Sequence, residues 1–280
     1  MGNPVFARSD VFGATPNGTT LNGAPVGAPT GQAPQYGQYG AGYAADAATI
    51  SSMYDAPSAT PVQTGRLTYD DVIIKTGGLL ALLVAVGAAT WVLKPELMWL
   101  GAIAGLVLGL INAVKREPSP ALIVGYTVAQ GMFLGGISAM YEARWDGIVV
   151  QAVLATVCTF AACLMLFRSG RVRVTPRFTR WLLFAMVGYL VFSVVNIVLM
   201  FANVGSGEFG PLRSGPIGII VGLIAVGLAS ASLIVDFDTI QRGVRNGVPA
   251  KYAWKAAFAL MVTLIWLYLE FLRLLAILRN

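Results

Sequence analysis

Ala257–Leu278, which reads AFALMVTLIWLYLEFLRLLAIL, decides the fold of this chain. A bilayer-crossing helix needs about 20 predominantly apolar residues, and this stretch supplies them. Inside it sits Glu270, the only acidic residue within any of the long apolar stretches. An ionised side chain at the centre of a membrane helix costs about 3 kcal/mol or more, so it normally faces a bundle interior or a water path. Glu270 is therefore a candidate functional residue. Arg273 stands three positions on, close enough along a helix to neutralise it locally.

Working outward, six more apolar stretches precede this one, near Val72–Leu93, Leu97–Val114, Pro120–Tyr141, Ile148–Phe167, Trp181–Ala202 and Pro216–Val235; the last span runs over Ala256–Leu278. Apolar residues make up 56% of the chain and charged ones 11%. A soluble domain carries roughly a quarter charged residues, so the composition is that of a membrane protein. Trp91, Trp99, Tyr141, Trp145, Trp181, Tyr252 and Trp254 fall at span ends, where aromatic rings anchor in the interface. The expected fold is all-α with seven transmembrane helices. Short connections such as Lys94–Glu96 force neighbouring spans antiparallel.

Basic residues orient the bundle. Lys115 and Arg116 follow span 2; Arg168, Arg171, Arg173, Arg177 and Arg180 follow span 4; Arg242, Arg245, Lys251 and Lys255 follow span 6. The alternate connections hold only Lys94, Arg144 and Arg213. The positive-inside rule then places the N-terminus in the cytoplasm and the C-terminus on the outer side of a plasma membrane, the inner membrane of the cell. Topology accounts for the net charge of +6 without nucleic acid. The bilayer is the expected partner.

Residues 1–66 are a separate regime, rich in Gly, Ala, Pro, Ser, Thr, Gln and Tyr, as in PQYGQYGAGYAADAA at Pro34–Ala48. Such a segment buries too little apolar surface to fold alone and reads as a disordered cytoplasmic tail. The transmembrane domain covers 67–280. Its first helix is announced by Thr68-Tyr69-Asp70-Asp71, an N-cap followed by acids in the first turn. Gly101-x-x-x-Gly105-x-x-x-Gly109, Gly131-x-x-x-Gly135 and Gly218-x-x-x-Gly222 put small faces on spans 2, 3 and 6 for close helix packing.

Histidine is absent, which excludes a Ser–His dyad and an H-E-x-x-H zinc site. Tyr69-Asp70 lies before span 1 and no Gly-x-Gly-Asp occurs, so the pattern of an intramembrane aspartyl protease is missing. No enzymatic activity and no cofactor are expected. Cys158 and Cys163 read as small apolar residues of one span.

Chemistry is left to the carboxylates. Asp236-Phe237-Asp238 closes span 6 at its cytoplasmic end, at a helix–loop boundary, and Glu270 is on span 7. Two carboxylates in a low-dielectric site share a proton, and an acidic pair offers oxygen ligands to a hard cation such as calcium. The competing readings are local: Asp238 pairs with Arg242 at i, i+4, and Glu270 with Arg273 at i, i+3. The span registers leave Asp238 at the cytoplasmic edge and Glu270 past the middle of span 7, a depth gap of about 15–20 Å at 1.5 Å per residue.

Phe237-Asp238-Thr239-x-Gln241 resembles the aromatic-Asp-Thr-Gln signature of the Bax inhibitor (transmembrane Bax-inhibitor-motif) superfamily, and Leu267-Tyr268-Leu269-Glu270-Phe271-Leu272 resembles its last span. Thr68-Tyr69-Asp70-Asp71-Val72 after a Gly/Tyr-rich tail is similar to an actinobacterial-type branch. The resemblance covers about residues 66–280. It implies two three-helix layers around a central C-terminal helix. It also implies a pH-sensitive calcium leak, with Asp238 and Glu270 as the gating and cation-binding pair, Asp236 beside them, and calcium or protons as the transported ions. Lys115 or Arg116 is the implied latch for the first acid, with Arg242 and Arg273 as the local rivals. The other function class is a non-transporting regulator that binds a protease or another membrane protein through the tail and the glycine faces.

Overall fold

The computed structural model describes residues 65–171, 174–202 and 209–279. The expected tail falls outside them except for Gly65 and Arg66. Arg66 forms a single antiparallel bridge with Pro249, and the Leu67 amide donates to the Val248 carbonyl at 2.7 Å. The start of the described chain is thus tied to the connection between the last two spans.

Seven long helices follow: α1 (Tyr69–Leu93), α2 (Met98–Val114), α3 (Pro120–Glu142), α4 (Ile148–Arg168), α5 (Pro176–Phe201), α6 (Gly215–Arg245) and α7 (Ala253–Arg279). All seven are long and apolar enough to cross a membrane, counting the short 3₁₀ turns Pro95–Leu97 and Ala250–Tyr252 with α2 and α7. The protein is a multi-pass membrane protein.

Local chemistry sets the helix starts. Thr68 closes a capping box on α1: its hydroxyl accepts from the Asp71 amide at 3.1 Å, and the Asp71 carboxylate accepts from the Thr68 amide at 3.3 Å. Pro lies in the first turn of α3, α5 and α6, where its missing N–H costs nothing. At α4 the cap comes from a distance. Both oxygens of the Glu142 carboxylate accept amides there, from Gly147 at 2.7 Å and Val149 at 3.0 Å, and Gly147 takes the left-handed turn with φ 75°.

Two of the expected boundaries move. α6 continues as helix ten residues beyond the apolar limit at Val235, to Arg245. Hydropathy marks where lipid ends, whereas the helix ends only where Asn246 and the left-handed Gly247 stop it. Asp236 and Asp238 are therefore inside a helix, not at a helix–loop boundary. α5 begins at Pro176 rather than Trp181, because Thr175 caps its start by accepting the Phe178 amide and the polar first turn is still helical.

The helices pack as two three-helix layers around α7. In the first, α1 and α2 both lie on α3; in the second, α4 and α5 both lie on α6. α7 touches α1 and α3 on one side and α4 and α6 on the other. Over its apolar stretch α7 is 56% buried, against 11% for α5, so α7 is the core of the bundle and α5 its most lipid-facing helix.

Candidate functional site: the acids of the α6–α7 seam

Three acids lie on the two helices of this seam, and each has its own partner. Asp236 is half-buried and accepts a hydrogen bond from the Thr263 hydroxyl of α7 at 2.8 Å. Asp238 pairs with Arg242 one turn along α6; the Asp238 side chain is largely covered and the arginine is exposed. Glu270, only 3% exposed, pairs with Arg273 one turn along α7. Glu270 also accepts from the Tyr189 hydroxyl of α5 and from the Trp266 indole N–H at 3.1 Å, and Arg273 donates to the Tyr189 oxygen at 3.3 Å.

The structure does not bring Asp238 and Glu270 together. The Asp236–Thr263 bond fixes the register of the antiparallel helices. Glu270 lies seven residues beyond Thr263, and Asp238 two residues beyond Asp236 in the opposite direction. At 1.5 Å per residue the two acids are separated along the axis by roughly 13 Å. This is somewhat less than the depth gap the spans implied, because Asp236 is level with Thr263, well inside the expected start of span 7 at Ala256. Neither acid shares a metal-type cluster: among the described residues no three Cys, Asp or Glu side chains converge as ligands. The local pairs are the ones formed, Asp238 with Arg242 and Glu270 with Arg273. Among the described residues neither Lys115 nor Arg116 forms an ion pair. The Lys115 carbonyl instead accepts from Lys255 at 3.4 Å, and Lys251 pairs with Glu117 at 3.1 Å across the exposed connections.

Around Glu270 the side chains form one buried polar cluster that links three elements. Tyr189 of α5 stacks near Trp266 of α7, with ring centroids 5.5 Å apart. Arg213, from the α5–α6 connection, lies over the Tyr189 ring at 5.0 Å and the Phe192 ring at 5.6 Å, and donates to the Ser193 hydroxyl. Deeper in the bundle, the Tyr268 and Ser138 hydroxyls join α7 to α3 at 2.7 Å. Tyr189, Trp266, Thr263 and Arg213 were not singled out from the sequence. Trp266 was one helical turn from Glu270 and could have been paired with it by spacing alone. Tyr189 and Thr263 carried only the weak signal of a hydroxyl in an apolar span, and Arg213 read as a topology charge.

A family model described as Bax inhibitor 1 like matches residues 3–280. The chain belongs to that family. A comparison with curated proteins returned no match. In this Bax inhibitor-like chain the family assignment agrees with the seven-span, two-layer architecture.

Proposed function

We propose that this protein is a pH-responsive leak for calcium or protons across the plasma membrane, controlled by the carboxylates of the α6–α7 seam. The observation that carries the reading is Asp236. It is set between two membrane-spanning helices with Thr263 as its partner and, among the described residues, no cation, whereas Asp238 and Glu270 are each held by an arginine. An uncompensated carboxylate at the seam attracts a cation when ionised and ceases to when protonated. The two arginine pairs correspond to a latched state in which the remaining acids are neutralised. Flux is therefore expected to rise with pH. No enzymatic step and no cofactor enter this reading. The basic connections support a cytoplasmic N-terminus and an outer C-terminus.

The regulator reading gains less support, because the glycine faces are already occupied within the chain. A Cβ at Gly101 would stand 2.6 Å from the Ala129 carbonyl oxygen, and one at Gly222 would stand 2.9 Å from Leu274. The test is calcium flux into liposomes holding the pure protein, measured from acid to neutral pH. Asp236→Asn is expected to flatten the pH dependence. If Asp236→Asn, Asp238→Asn and Glu270→Gln all left flux and its pH dependence unchanged, the reading would be wrong.

A further inference from the structure

Arg213 has no use in the ion path and is unusually placed. It is 8% exposed, yet among the described residues no carboxylate pairs with it. Its guanidinium donates through one nitrogen to Ser193 and lies over two rings, while its Nε is buried with no partner. Among the described residues the only acid in the neighbouring cluster, Glu270, is already taken by Arg273, so the described cluster carries one positive charge too many. A buried charge without an anion costs several kcal/mol in the free protein, which an anionic ligand would offset.

A groove begins beneath the same two rings. It lies between α5 and α6, has a volume of about 570 Å³, and includes Tyr189 and Phe192 in its lining. It runs along α5 from Phe192 to Trp181, about 16 Å at 1.5 Å per residue. That is roughly half of the ~30 Å hydrocarbon core, the depth of one leaflet. Its walls are apolar, and at Gly188 and Gly227 a Cβ would meet nothing within 4 Å. Asn196 fixes which end lies under the α5–α6 connection. It donates to the Phe209 carbonyl at 2.9 Å and accepts from the Leu212 amide at 3.0 Å, so the connection folds back and α6 starts beside this part of α5. Arg213 thus lies over the two rings at the end where α6 begins, and an apolar slot about as long as one leaflet runs from them toward Trp181.

We infer that the α5–α6 groove binds one acyl chain of an anionic membrane lipid, with the lipid's negatively charged head group held at Arg213. A phospholipid supplies both parts at once: an acyl chain for the slot and a phosphate for the unpartnered guanidinium face. The inference does not depend on the ion path.

The full-length protein is reconstituted in phosphatidylcholine nanodiscs with a small fraction of lipid carrying a diazirine in its acyl chain, and labelled residues are mapped after illumination. One arm uses tagged phosphatidylglycerol, the other tagged phosphatidylcholine. One basic residue near a membrane surface contributes about 1 kcal/mol toward an anionic lipid, so phosphatidylglycerol is expected to label α5 and α6 groove residues about fivefold more. Arg213→Gln is expected to abolish that preference, and Arg213→Lys to keep most of it. Gly227→Leu, which enters open space and leaves Arg213 intact, is expected to remove groove labelling while the protein elutes as the folded species. Equal labelling by the two lipids overturns the inference. So does a preference that survives Arg213→Gln, or groove labelling that survives Gly227→Leu. Loss of labelling on adding millimolar inorganic phosphate would make the site one for free anions, and would also overturn it.

Discussion

The two three-helix layers have the same plan and opposite means of cohesion. In the α1–α2–α3 layer the helices approach until backbone meets backbone. A Cβ at Gly135 would run into the Gly87 carbonyl, one at Gly136 into the Pro95 carbonyl, and one at Gly101 would stand 2.6 Å from the Ala129 oxygen and the Phe133 nitrogen. In the α4–α5–α6 layer, α5 touches α6 across a groove in which Gly188 and Gly227 meet nothing. What holds α5 is polar: Tyr189 to Glu270 and Arg273, Ser193 to Arg213, and Asn196 to the backbone at Phe209 and Leu212. Lipid offers no hydrophobic drive for helix association, so a membrane helix is held either by close packing or by polar ties. Packing of the first kind does not respond to pH. Ties that pass through a carboxylate do.

The largest expected effect comes from cutting the tie. Glu270→Gln leaves Arg273 largely covered near Arg213 with no anion among the described residues, and breaking a buried pair by removing one partner costs about 3–5 kcal/mol. The melting temperature of the detergent-solubilised protein should fall sharply, and cysteines placed on the α6-facing side of α5 should become reactive. Adding Arg273→Met should restore much of the loss, because it removes the stranded charge. A Glu270→Gln protein that melts like the parent would mean that α5 is held by something other than this cluster.

A glycine pair tests the other half of the comparison by sign. Gly135→Ala forces a Cβ against the Gly87 backbone and should destabilise by about 1–3 kcal/mol or more, as overpacking does. Gly188→Ala enters open space in a helix, where replacing Gly gains up to about 1 kcal/mol of helix propensity. Thermal unfolding of the two variants side by side should move in opposite directions. If both move the same way, the layers do not differ in the way described.

The parts of this architecture that were legible from sequence are those set by local rules. Span number and position followed from apolar length, the α1 start from Thr68 and Asp71, and both ion pairs from i, i+3 and i, i+4 spacing. The depth gap between Asp238 and Glu270 was also readable, because rise per residue is fixed. What escaped was set by tertiary register. Asp236 finds Thr263 only once α6 and α7 are aligned, Tyr189 reaches Glu270 from 81 positions away, and Glu142 caps α4 through a turn. The extension of α6 to Arg245 was missed for a different reason: its last turns are polar, and hydropathy does not see a helix that has left the lipid.

Thr263→Val probes that register contact. It removes the hydroxyl and leaves a half-buried carboxylate without its donor, at a cost of about 1–3 kcal/mol. The effect should be smaller than that of Glu270→Gln, since no cation is stranded. It should also move the pH midpoint of any Asp236-dependent flux, because the carboxylate has lost its hydrogen-bond donor. A midpoint that stays put would show that Asp236 does not titrate in the path.

Arg242→Gln should do least to stability. Its side chain is 58% exposed, and exposed ion pairs contribute about 0–1 kcal/mol after solvent screening. The Asp238 carboxylate is 17% exposed, so losing the arginine leaves it half-sheltered but still within reach of water. Stability and flux should therefore separate in this variant. The melting temperature should hardly move, while calcium flux at neutral pH should rise, because a second uncompensated carboxylate joins Asp236 on the same stretch of α6. High salt should erase the small stability difference, since a surface pair is screened within about 10 Å at 0.1 M ionic strength. If stability drops by several kcal/mol instead, the Asp238–Arg242 pair is structural, holding the polar end of α6 in helical form, and the latch belongs to Arg273 alone.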